Sequence, residues 1–338
     1  MSVLLKSSTK ARTLDFNVIQ VREITGGKIT GCVVSRRSWR SILLAVLTDR
    51  VDRWQEEGVM EEVLGRRLFV RRHEGTGPLL LFLHGFPSAS YDWRDVLEAR
   101  PDARSVAFDF LGFGLSNKPA DHMYTLAWQA DAAEEIVRRA GSPPTFLVAH
   151  DMGTSVATEL MARDIRGECD LDLTGALLFN GSMLLHLSSP TLGQRMLRSR
   201  LGGLFARLTT ERSFRAQFSR VFSTEHPLTE EEAADQWSLI AHNDGQRIAH
   251  RTIHYMAERE RFTDRWHGAL RDWPRPLTLA WGLHDPVATV SVLDGLRALR
   301  PGVEVIELPG AGHYPQIECP GEIAAALDRA LAAAEGDA

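Results

Sequence analysis

The chain reads as an α/β protein built on a mostly parallel eight-stranded sheet, and three features predict it. Short apolar runs alternate with segments of helical periodicity. One run, Thr145 to Ala149, passes through a sharp small-residue turn straight into a helix. A single long segment, Met183 to Trp266, has no strand character and interrupts the alternation late in the chain.

With 338 residues, 44% of them hydrophobic and 25% charged, the chain is long and apolar enough for a sizeable core. A net charge of −5 gives no reason to expect nucleic acid as a partner. Cys32, Cys169 and Cys319 are odd in number and lack CxxC spacing, which reads as a reduced, cytoplasmic protein. The 12 histidines show no metal-ligand spacing, so neither metal nor cofactor is expected. The apolar run Ile42 to Leu47 is too short for a secretory core or a membrane span, so no stable membrane insertion is expected.

The first 38 residues are polar, mixed and without periodicity, and read as a poorly ordered extension. From Trp39 to Glu57, Leu43, Leu47, Val51 and Trp54 recur at helical spacing and predict one amphipathic helix packed on the body. Strand-like runs follow at Val59–Leu64, Arg67–Arg72, Leu79–Leu83, Val106–Asp109, Phe146–Ala149, Ala176–Phe179, Leu277–Trp281 and Glu304–Leu308. Helical patterns lie between and after them at Leu126–Ala140, Val156–Ala162, Val292–Leu299 and Pro320–Ala334. Within the strandless segment, Thr229 and Glu232 form a capping-box pattern, and Asn243 or Asp244 is placed to cap a helix running to about Glu260. The expected organisation is therefore an N-terminal extension over 1–57, a core from 58–182 and 267–338, and a helical cap over 183–266, inserted after the sixth strand of the sheet.

The turn after Ala149 carries the chemistry. Ala149-His150-Asp151-Met152-Gly153 matches a strand–turn–helix elbow, small-x-nucleophile-x-small, with Asp where Ser is commoner. A carboxylate there can displace a leaving group from an sp³ carbon and form an alkyl ester of the enzyme. Taken alone, the five residues fit a helix N-cap equally well. Downstream, His284-Asp285-Pro286 and Gly312-His313-Tyr314 each follow a strand, in the order nucleophile, acid, histidine. Asp151, Asp285 and His313 are thus the candidate triad. Leu83-His84-Gly85-Phe86-Pro87 supplies one oxyanion donor, the Phe86 amide, and the Met152 amide supplies the second. The segment from Asp109 to Ser116 is a weak phosphate-loop match and reads as a tight loop shaping the site, while His84 and His150 read as structural neighbours.

Together, His84-Gly-Phe-Pro with Ser90-Tyr-Asp-Trp93, the run from Asp109 through Gly114 to Pro119, His150-Asp151-Met-Gly, and Gly312 to Pro315 resemble the α/β-hydrolase superfamily. Within it the chain resembles the epoxide hydrolase and haloalkane dehalogenase branch, and most of all the mesoderm-specific transcript proteins, through Asn243-Asp244-Gly245 and the run from Arg265 to Leu270. The resemblance spans about Gly58 to Ala334. It implies the α/β-hydrolase fold and a small apolar epoxide or halide substrate. Dehalogenases of the branch typically place Trp directly after the nucleophile and often Asn or Glu after His-Gly; this chain has Met152 and Phe86. Epoxide hydrolases usually use two cap tyrosines as acids, and the cap here has one, Tyr255, eleven residues before Trp266. Epoxide hydrolysis is accordingly the first expectation and dehalogenation the second. A non-catalytic ligand-binding member of the fold is the rival. A serine esterase is disfavoured because no Ser occupies the elbow, and the oligomeric state is left open.

Overall fold

The computed structural model describes residues 18–25, 28–35 and 47–336. In the N-terminal unit, strands β1 (Val18–Thr25) and β2 (Lys28–Ser35) pair antiparallel. The sequence reading had expected no regular structure there: Val, Ile and Thr alternate only loosely along these runs, and each strand finds its order in its partner. Residues 36–46, which include Leu43 of the expected helix, lie outside the described residues.

Leu47 to Ala338 forms one compact unit. Its first helix, Asp49–Glu56, is capped by Thr48 and buries Val51 and Trp54 against Phe69 and Tyr91. The sheet that follows contains β3 (Val59–Val63), β4 (Arg66–His73), β5 (Thr76–Leu83), β6 (Ala103–Phe108), β7 (Thr145–His150), β8 (Leu173–Phe179), β9 (Leu277–Gly282) and β10 (Glu304–Leu308). These are the eight expected strands. Their spatial order is β10-β9-β8-β7-β5-β6-β4-β3, parallel from β10 to β6 and antiparallel at the β4 and β3 edge.

The central strands are apolar on both faces because both faces are covered. Leu79, Leu81 and Leu83 of β5 enter one hydrophobic cluster while Leu80 and Phe82 enter the other, and β7 divides Leu147 and Ala149 from Phe146 and Val148 in the same way. From β5 the chain steps to β6 on one side, then returns to β7 on the other side and continues outward to β10. Adjacent β5 and β7 therefore bracket the topological switch point, where open parallel sheets bind ligands at their C-terminal ends.

From Asn180 to Pro276 there is no strand. Thr229 caps the helix Glu230–Ala241, accepting the Glu232 amide at 3.1 Å. The reciprocal half of the expected capping box is missing because Arg94 and Gln236 claim the Glu232 carboxylate. The single helix expected from Asn243 or Asp244 to Glu260 is broken into Ala249–Thr252 and Tyr255–Arg261. Asn243 and Asp244 sit at φ 53° and 60°, a left-handed pair that ends one helical run and re-aims the next.

Candidate active site

The elbow is sharp because its neighbours leave no room. Asp151 follows β7 at φ 42° and ψ −108°, a conformation that costs energy for a non-glycine residue and is kept only where the surroundings impose it. A Cβ on Gly153 would lie 2.2 Å from the Leu83 carbonyl oxygen, and one on Gly85 would lie 2.9 Å from the Asp151 Cβ. Glycine at both positions lets the helix Met152–Ile165 and the His84-Gly85 turn close on Asp151.

Asp151 occupies the N-cap position of this helix, but its side chain makes no capping hydrogen bond to it. The Phe86 amide instead donates to Asp151 Oδ2 at 3.0 Å. Oδ1 is buried and has no hydrogen-bond partner. The two oxygens are thereby made unequal: one is held, the other is free. The second expected donor, the Met152 amide, makes no hydrogen bond to this carboxylate, whose Oδ2 is held by Phe86.

Asp285 and His313 come together as the sequence order required. His313 Nδ1 lies 2.7 Å from Asp285 Oδ2, which fixes Nδ1 as the donor and leaves Nε2 without a proton when the ring is neutral. Burial opposes a charge on this ring, but Asp285, through its charge and its hydrogen bond, and Asp151 outweigh it, so His313 titrates above its ordinary value. Asp285 is held in turn: its Oδ1 accepts the Val287 and Ala288 amides at 2.6 and 3.0 Å.

Three residues that sequence reasoning missed complete the site. Asn180, at φ 47° directly after β8, donates to Asp285 Oδ2 at 2.8 Å and accepts the Gly282 amide at 2.9 Å. A polar residue at the end of a central parallel strand was the available signal. Buried Glu318 accepts the Gly312 and Tyr314 amides at 2.8 and 3.0 Å and so shapes the loop that carries His313. Arg259, only 2% exposed, donates from Nε to Ser155 Oγ at 2.7 Å and from Nη2 to the Asp151 carbonyl at 2.8 Å. Its signal was a charge four residues after Tyr255 on the buried side of one helix.

Tyr255 is also buried, with its ring 5.7 Å from that of Phe86 and the Arg259 guanidinium 4.7 Å over its face. Burial first, and then the Asp151 charge, drive its phenol far above the ordinary tyrosine range, while Arg259 opposes them. It stays protonated at any working pH. His84 and His150 are spent on structure. His84 Nε2 accepts the Phe110 amide at 2.9 Å, and His150 Nε2 lies 2.7 Å from the His313 carbonyl. Burial lowers the two rings to about 4 and about 3, so both are neutral. Asp109 ties its own loop by accepting from Ser90 and Leu115 at 2.8 and 2.6 Å, as expected for a tight loop.

A cavity of about 120 Å³ opens on His313, Tyr314 and Phe86 and runs beneath the helical insertion between Phe218, Val221 and Leu197. Among the described residues no tryptophan lines it.

Residues 78–320 match the family model of the alpha/beta hydrolase fold. The chain is 49% identical over 270 residues to LipZ of Mycobacterium tuberculosis, covering 80% of this chain and 94% of that one. It is 32% identical over 288 residues to the mesoderm-specific transcript protein of Mus musculus, covering 81% and 85%. Haloalkane dehalogenase 2 of Mycobacterium bovis is 29% identical over 267 residues, covering 75% and 88%. Among solved structures, haloalkane dehalogenase DbeA from Bradyrhizobium elkani superimposes with a TM-score of 0.70 at 23% identity, covering 83% and 99%, which speaks to the fold. The chain belongs to the alpha/beta hydrolase fold family.

Proposed function

We propose that this hydrolase works through an alkyl ester on Asp151 and that its substrates are small apolar epoxides, which it opens to diols. The observation that carries the reading is the asymmetry of the Asp151 carboxylate, with Oδ2 on the Phe86 amide and Oδ1 buried without a hydrogen bond, 3.6 Å from Arg259. An anionic oxygen free of hydrogen bonds is the better nucleophile, and a held one is already where a tetrahedral oxyanion forms.

Oδ1 attacks an epoxide carbon, the carbon–oxygen bond breaks, and the electron pair goes to the ring oxygen, which takes the Tyr255 proton. His313 Nε2 then removes a proton from water, whose oxygen attacks the ester carbonyl carbon. The charge falls on Oδ2, stabilised by the Phe86 amide. Collapse breaks the Cγ–Oδ1 bond, the departing alkoxide takes the proton left on the water-derived oxygen to become the diol, the carboxylate is restored, and the histidine proton returns to the Tyr255 phenolate through solvent. Asp285, fixed by Asn180 and two amides, keeps His313 in the productive tautomer.

The cavity supports a small apolar substrate: a comparable apolar void of about 150 Å³ holds a benzene molecule. Dehalogenation is the second reading, favoured by the relationship to Haloalkane dehalogenase 2. It is weakened by the absence of any indole among the cavity-lining residues and by Met152 beside the nucleophile. Incubating the purified protein with a panel of epoxides and haloalkanes, and measuring diol and halide separately, tests both. Diol formation lost in Asp151→Ala supports the first reading. Halide release without diol formation would replace it with the second.

A further inference from the structure

The helices Leu192–Arg198 and Gly202–Leu208 present two faces with different surroundings. On the inner side, Gly193, Leu197 and Phe205 line the cavity that reaches His313. On the outer side, Leu192, Leu201, Leu204 and Leu208 are 67, 63, 56 and 67% exposed. Leu201, Leu204 and Leu208 fall at helical spacing and form one stripe. Single exposed leucines are ordinary on a protein surface, but a stripe of them marks an interaction site.

The charge around the stripe indicates what that partner is. Residues 191–220 contain seven arginines and a single acid, Glu211, in a chain whose net charge is −5. Arg195, Arg198, Arg200, Arg207, Arg212 and Arg220 are exposed. Beside the stripe, Arg207, Arg247, His250 and Arg251 line an open groove. An apolar stripe flanked by cations has the composition of surfaces that lie in a lipid interface, where each arginine near an anionic surface adds attraction.

We propose that this face of the insertion docks on an anionic lipid surface, with the leucines entering the headgroup boundary and the arginines pairing with lipid phosphates. The contact is peripheral, since among the described residues no helix is long and apolar enough to cross a membrane. The same two helices roof the cavity. The lipid-facing leucines and the cavity that reaches His313 thus lie on opposite sides of one helical layer. The inference concerns the surface alone and stands independently of the role of Asp151.

Cosedimentation of the full chain with vesicles tests it, using phosphatidylcholine alone and phosphatidylcholine mixed with phosphatidylglycerol. Binding is expected on the mixed vesicles, weakening as salt is raised to about 0.5 M, where screening shortens to a few ångströms. Leu204→Glu/Leu208→Glu should reduce the bound fraction at least about fivefold, and Arg200→Glu/Arg207→Glu should do the same. All four positions are exposed, and unchanged thermal melting verifies that each variant is folded; Leu204→Ser/Leu208→Ser replaces the first pair if it is not. Failure of the unmodified chain to bind mixed vesicles overturns the proposal, and so does binding that the leucine and arginine variants leave intact. A leucine variant that halves the solution mass by light scattering, with vesicle binding unaltered, would assign the face to self-association instead.

Discussion

The Arg259 guanidinium donates to the Asp151 carbonyl at 2.8 Å and lies 3.6 Å from the free Oδ1, with both side chains sealed from solvent. A cation from the helical insertion thus neutralises a carboxylate of the core. The two parts of the fold meet at Asp151 itself. A buried pair of this kind contributes little net stability when intact, because desolvating both charges costs about what their attraction returns, but removing one partner strands the other.

Arg259→Met should therefore destabilise the protein by about 3–5 kcal/mol, the usual cost of leaving a buried charge unpaired. Arg259→Lys keeps the charge but not the fork that reaches Ser155 and the Asp151 carbonyl together, so its loss should be smaller. Urea unfolding of the two variants checks this. Equal midpoints for Arg259→Met and the unmodified chain would show that the pair does not compensate the elbow charge.

The division of labour between Asp151 and His313 is separable by mass. Asp151→Ala should abolish turnover; because it also strands the buried Arg259 charge, urea unfolding of the variant separates lost chemistry from lost stability. His313→Gln should block water activation while permitting attack, so the alkyl ester accumulates and adds the mass of the whole epoxide to the protein. Substrate consumption by the unmodified enzyme with no adduct on the His313→Gln variant would indicate direct attack by water.

The pH dependence has a definite sign. His313 acts as a base only when neutral, and the Asp285 and Asp151 charges raise it above its ordinary value against the effect of burial. Ester hydrolysis should rise with pH through that raised value and fall away below it. Asp285→Asn removes the larger of the two favourable charges, so the acid limb should move to lower pH while the plateau drops. The stabilising contribution is complete below the unfolded histidine value, about 6.5, and is lost as pH rises through the folded one. Asp285→Asn should thus cost more stability at about pH 6 than at about pH 9. A limb displaced upward in the variant would rule out this electrostatic coupling.

Much of the core was legible because its signals are local. The eight sheet strands announce themselves by apolar runs between turn residues, and Asp151, Asp285 and His313 stand one, three and five residues beyond a strand end. Arg259 was not legible because its role depends on how a broken helix pair docks, and the break falls at Ile253 and His254. Residues 249–261 contain neither glycine nor proline, so sequence alone favoured one continuous helix. Asn180 and Glu318 escaped for a related reason. Both act by holding backbone amides or a carboxylate brought close by the fold, a role with no spacing of its own.

Tyr255 separates the two chemistries. The oxygen of an opened epoxide stays on the substrate as a strongly basic alkoxide and needs a proton, whereas a halide departs as a weakly basic anion and needs none. Tyr255 is buried against Phe86, whose amide holds the nucleophile, and its phenol is kept protonated by burial and by the Asp151 charge. Tyr255→Phe should slow epoxide opening by about 10²-fold or more, the scale of lost general acid catalysis, and barely change any halide release. Burst-phase measurement of adduct formation isolates that step, since water attack on the ester does not involve the phenol. Met152→Trp should favour halide release by placing an indole donor beside the nucleophile, at some cost in pocket space. Unchanged adduct formation in Tyr255→Phe would reduce Tyr255 to a packing residue. The proton would then have to come from a group other than the insertion's single tyrosine.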